Sequence, residues 1–149
     1  MNMMNLITFI INKVRKHKQK RKMMKEIENL KMSKNIEKLD KILNSSLRQE
    51  FITFCSKNKI YENLSFYLEM DLYNKKSDSK FKKRLSCHIY DKYIRDDSLY
   101  QINIGNETKT KINNNNQAEE KYKDAYLQVK MLLTERTNSF LREVENQIT

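Results

Sequence analysis

A chain of 149 residues closes one modest core and leaves no room for two. With no Pro, one Gly, 38% apolar and 33% charged residues it suits amphipathic helices, and it excludes a glycine-rich phosphate loop; its two cysteines, Cys55 and Cys87, have no second Cys or His at ligand spacing, which excludes a disulfide framework and a zinc site. The net charge of +11 is uneven, because residues 1–25 hold eight Lys/Arg and no acid, whereas residues 26–149 hold 22 basic and 19 acidic groups, which favours an anionic surface gripped by the tail over a groove cut across the domain.

The first segment carries Leu6, Ile7, Phe9, Ile10, Ile11 and Val14, directly ahead of the basic run Lys13, Arg15, Lys16, Lys18, Lys20, Arg21, Lys22 and Lys25. This order is the reverse of a signal peptide, and the apolar part is far short of the roughly 20 residues that span a bilayer. It is read as a basic amphipathic extension over residues 1–32 that lies on an anionic membrane surface through Leu6, Phe9, Ile10, Lys13, Arg15, Lys16, Lys18, Lys20, Arg21 and Lys22. The competing readings are a helix packed on the domain and, less favoured, a nucleic-acid arm. The domain proper is placed at residues 33–149.

Further along, Ile36, Leu39, Leu43, Leu47, Phe51, Phe54 and Cys55 follow three- and four-residue steps and predict one helix. After a polar break at 56–59, Leu64, Tyr67, Leu68 and Leu72 predict a second. Ser77-Asp78-Ser79 caps a third, which carries Phe81, Leu85, Ile89 and Tyr93 at four-residue intervals. A loop follows from about Arg95 to Asn106, and the run Asn113 to Asn116 reads as a polar loop or helix fray. Tyr122, Ala125, Tyr126, Val129, Leu132 and Leu133 predict a long helix, with Phe140, Leu141, Val144 and Ile148 continuing beyond a polar stretch. Each apolar set is expected in the core.

Little points to catalysis. His17 falls in the basic run and His88 on the third helix, where a structural role is expected, and Asp96-Asp97 and Glu119-Glu120 read as solvated faces or caps. No intrinsic catalysis, cofactor or metal is expected.

The stretch Leu47-Arg-Gln-Glu-Phe51-Ile-Thr-Phe54-Cys55, then Ile60-Tyr-Glu62-Asn63-Leu-Ser-Phe66-Tyr67-Leu-Glu69, then Tyr73, resembles the opening of the regulator of G-protein signalling (RGS) domain family. The similarity continues in order through Ile89-Tyr90-Asp91-Lys92-Tyr93-Ile94, Ile102-Asn103-Ile104, the Ala125 helix and Phe140-Leu141. The resemblance implies an all-α fold of about nine helices around a central bundle. It also implies a binding surface of three inter-helix loops, carrying Glu62 and Asn63, then Asn103, then Glu135, Arg136 and Ser139. In the family these positions touch the switch regions of a heterotrimeric G-protein α-subunit and speed its GTP hydrolysis. The sequence departs from the family pattern at Ile60 and Tyr67, where the family often has Ser and Trp, and in the last loop, where Glu135, Arg136 and Ser139 replace Asp, a small hydroxyl residue and Arg. The chain is thus expected to be a monomeric GTPase activator of the cytoplasm, working at the inner face of the plasma membrane on an α-subunit in its GTP or transition-state form. The alternative is an RGS-fold scaffold without that activity.

Overall fold

Apolar residues at helical spacing, with almost no breakers among them, fold into helices alone. The computed structural model describes residues 2–115 and 120–149, and among these there are seven α-helices, one π turn and no strand. They are α1 (Met3–Met32), α2 (Asn35–Leu43), α3 (Arg48–Lys57), α4 (Tyr61–Lys75), α5 (Ser79–Ile89), the π turn (Tyr90–Ile94), α6 (Asn106–Asn114) and α7 (Lys123–Ile148). The all-α class is as expected, with fewer helices than the nine the resemblance implied. Asn116 and Glu119, members of two polar runs noted in the sequence, lie outside the described residues.

Local chemistry sets most boundaries. Asn2 caps α1 by accepting from the Met4 N–H at 2.9 Å, and Asp78 caps α5 by accepting from Lys80 (2.9 Å) and Phe81 (3.4 Å). The single helix read over 36–55 is in fact two, α2 and α3. Its periodicity is interrupted by side chains that compete for the backbone: Asn44 Nδ2 donates to Asp40 O at 2.8 Å, Ser45 Oγ to Ile42 O at 2.7 Å, and Leu47 N donates to Ser45 Oγ at 3.1 Å.

The core forms where α7 lies against α1, α2, α3, α4 and α6. Phe140 meets Phe51 and Phe54 edge-on at centroid distances of 5.0 and 5.5 Å, Tyr67 stacks on Tyr126 at 5.3 Å, and Phe66 meets Tyr93 at 5.5 Å. Leu64 and Tyr67 are buried, as their spacing predicts, and so are Phe66 and Tyr73. Three residues read as core are not: Ile36, Leu72 and Phe81 face solvent, and Phe81 lies beneath the Lys76 ammonium at 5.5 Å instead. At the other extreme, the exposed first turns of α1 run unbroken into the core, where Ile27 and Leu30 are buried.

Candidate functional site

The turn between α3 and α4 aims the first candidate residues. Lys59 takes a left-handed conformation (φ 58°), its N–H donates to Ser56 O at 3.3 Å, and the Ile60 N–H reaches back to Cys55 O at 2.9 Å. This pair of bonds is a Schellman motif, closed by burial of Ile60 beside Cys55. α4 therefore starts abruptly at Tyr61, with Glu62 half-buried in its first turn, where a carboxylate suits the positive end of the helix dipole. Asn63, one residue on, is 2% exposed.

Asn63 does not point at solvent with its acceptor. Its Oδ1 takes the backbone N–H of Asn103 at 3.3 Å, joining the start of α4 to the loop between the π turn and α6. The side chain of Asn103 is exposed. That loop is pinned along its length. The Arg95 N–H donates to Tyr90 O (3.0 Å), Ser98 Oγ to Lys92 O, the Ile102 N–H to Tyr93 O (3.1 Å), and the Gly105 N–H to Gln128 Oε1 on α7 (3.5 Å). The Arg95 guanidinium beside Asp97 holds that carboxyl below the ordinary carboxylate range, and Asp96 pairs with Lys109. The two aspartates therefore serve the loop as ion-pair partners rather than as a catalytic pair.

The third expected loop does not exist. Glu135, Arg136 and Ser139 lie in the middle of α7, which is continuous from Lys123 to Ile148. No Gly or Pro interrupts it, Thr134 and Thr137 turn their hydroxyls back onto the carbonyls of Lys130 and Thr134 (both 2.7 Å), and Thr137 is buried against the core. All three candidates are exposed on that helix, and Ser139 Oγ accepts from Arg142 at 3.5 Å. Of the six residues, then, only Asn63 and Asn103 are joined directly.

Sequence reading overlooked the residues that brace the loop. Lys92, in the middle of the π turn, donates to Glu69 Oε1 at 3.0 Å and lies over the rings of Tyr93 (5.1 Å) and Tyr100 (5.4 Å). Burial disfavours its ammonium, but hydrogen bonds to Glu69 and Tyr93 more than offset this and hold its pKa above the ordinary lysine value. Gln128 likewise bonds both Gly105 and Thr108 Oγ1 (2.6 Å). These contacts join segments distant in sequence, so no local motif marks them. The Cys55 thiol, pushed up to about 12 by burial, is no nucleophile, and no group of three or more potential metal ligands occurs among the described residues.

Residues 38–144 match the family model of the regulator of G protein signaling domain. The chain belongs to the RGS family. No curated protein matches it. The matched region begins inside α2 and ends at Val144, the last buried residue of α7, so it takes in the loop, the Asn63 turn and nearly all of the core. This RGS domain is a regulator of G-protein signalling. Two segments that the family resemblance separates by a loop are fused here in one helix.

Proposed function

We propose that this RGS domain binds the switch regions of a G-protein α-subunit and accelerates its GTP hydrolysis, with Asn103 presented to the switches and Asn63 holding it there. The observation that carries this reading is the Asn63–Asn103 bond at 3.3 Å, which makes the turn before α4 and the loop before α6 one surface. The α-subunit of this class holds its own Arg and a water-orienting Gln, so a partner need only immobilise mobile switches. A 100-fold acceleration corresponds to about 2.7 kcal/mol, within reach of a few amide contacts. Asn suits the task because it donates and accepts without the desolvation cost of a charge. Single-turnover GTP hydrolysis by a panel of α-subunits, with this chain and with its Asn103→Ala variant, tests the reading. Acceleration that the variant loses supports it; no acceleration of any α-subunit, despite binding, supports a scaffold instead.

That second reading has its own observation. Arg136 and Ser139 lie on an unbroken helix where the family pattern calls for a loop with a small hydroxyl and an Arg, and Ser cannot make the fork-like contacts of a guanidinium.

In this proposal the domain works at the anionic inner face of the plasma membrane, a reading supported by the exposed half of α1. Leu6, Phe9, Ile10 and Val14 are exposed, no acid falls before Glu26, and no described helix is long and apolar enough to cross a membrane. Such a helix binds at the interface, by apolar insertion and by attraction between its cations and acidic lipid.

A further inference from the structure

Glu69, on α4, has one oxygen on Lys92 and the other, Oε2, buried with no hydrogen-bond partner. His88 Nε2 on α5 stands 3.6 Å from that orphan, beyond hydrogen-bond range. The imidazole is reached by water, its side chain being 56% exposed. Lys92 in turn carries the loop of Asn103, since Tyr100 lies against its ammonium and Ser98 bonds its carbonyl. The π turn makes this possible. Its wider coil, closed by the Arg95 N–H on Tyr90 O five residues back, keeps Lys92 facing α4 while the chain leaves the helix into the loop.

We infer that Glu69 and Lys92 are positioning residues for the Asn103 loop, and that protonation of His88 tightens their hold. The inference deepens the α-subunit reading of Asn103 and rests on it for its biological meaning. At 3.6 Å a neutral imidazole, whichever nitrogen carries its proton, adds neither a hydrogen bond nor a charge for Glu69 Oε2. An imidazolium donates from both nitrogens and carries a charge opposite to the carboxylate. With the proton added, charge attraction draws the exposed imidazolium towards Oε2, each carboxylate oxygen faces a cation, and Glu69 gains less by swinging its orphan oxygen out to water. Lys92 then keeps its anchor, and Tyr100 and Ser98 keep Lys92.

The charges around His88 are few. α5 packs on α4 and on the π turn. α4 contributes Glu69; the π turn contributes Lys92 and Asp91, the latter engaged by Arg95 at 3.4 Å; Arg84 lies one turn earlier on α5. The phenols of Tyr93 and Tyr90 are committed elsewhere, to Ser65 (2.6 Å) and Asn113 (2.8 Å). Glu69 is thus the acceptor within reach of a protonated His88. The two cations that would share it repel one another, which limits the gain to a modest one.

The test needs no G protein. Amide hydrogen exchange of the full chain is followed at residues 98–104, as protection factors corrected for intrinsic pH dependence, at pH 7.5 and 6.0. Protection is expected to rise several-fold on acidification in the native chain, to stay flat in His88→Gln, and to be low at both pH values in Glu69→Gln and Lys92→Met. The thermal midpoint of each variant shows that it is folded. An acid response that persists in His88→Gln, or native-like protection in Glu69→Gln, overturns the inference. Binding of the native chain to a transition-state α-subunit complex, read separately, decides the functional reading.

Discussion

The Oδ1 of Asn63 and the backbone N–H of Asn103 are 3.3 Å apart and bonded, across 40 residues of chain. The two asparagines therefore differ in kind, since one spends a buried side chain on the fold and the other exposes its side chain and spends only backbone. Asn63→Ala removes the acceptor of a buried amide bond and is expected to lower stability by about 1–3 kcal/mol as well as α-subunit affinity. Asn103→Ala is expected to lower affinity while changing stability by no more than about 0.5 kcal/mol. Urea denaturation paired with affinity for the transition-state complex separates the two; equal stability losses in both variants contradict this division.

Lys59 holds a left-handed conformation that costs an L-residue roughly 1–2 kcal/mol, at the position of the Schellman motif where Gly is the usual occupant. Its side chain takes no part in the motif, whose two hydrogen bonds are from backbone groups. Lys59→Gly is expected to raise the denaturation midpoint by up to about 1 kcal/mol in free-energy terms, the gain being reduced by the extra freedom of Gly in the unfolded chain. An unchanged or lowered midpoint contradicts the account of the turn.

Burial pushes the Cys55 thiol from its ordinary 9.0 up to about 12, and burial, partly opposed by the bond with Ser86, pushes the Tyr122 phenol from 10.0 up to about 12. Both groups are acids that the fold keeps protonated. Below pH 9 they are protonated in the folded and unfolded chain alike, and their contribution is fully present. As pH climbs from 9 towards 12 the unfolded chain loses these protons first, so stability falls, by up to about 1.4 kcal/mol per pH unit for each group. Denaturation at pH 8, 10 and 11 checks this, and Cys55→Ala should flatten the part of the decline that begins near pH 9. A level stability from pH 8 to 11 rules the account out.

The membrane proposal for α1 is best tested without deletion, because Ile27 and Leu30 belong to the core and their loss costs about 2–5 kcal/mol each. Replacing Lys13, Arg15, Lys16, Lys18, Lys20, Arg21 and Lys22 by Gln leaves the core residues untouched, since all seven are exposed. At up to about 1 kcal/mol per cation near acidic lipid, the variant should lose more than tenfold in binding to vesicles containing phosphatidylserine, and native binding should fall with salt. Native protein that fails to sediment with such vesicles at low salt removes the proposal.

The chain by itself determined its helical class, the concentration of charge in its first segment, and the order of segments that marks it as an RGS domain. These are local properties: a helix repeats every three to four residues, so the buried row Leu64, Tyr67 and the cap at Asp78 can be read without knowing what lies across the core. The tertiary structure alone decided that Asn63 meets Asn103, that Glu69 is shared by Lys92 and faces His88, and that Phe81 looks outward while Ile27 turns in. It also decided that Glu135 to Ser139 is helix: Thr137, in the middle of that stretch, is buried, and α7 lies against α1, α2, α3, α4 and α6, all distant in sequence except α6. Periodicity tells which residues share a face; which faces meet depends on crossings between helices distant in the chain, and these rest on the packed shape of the whole core.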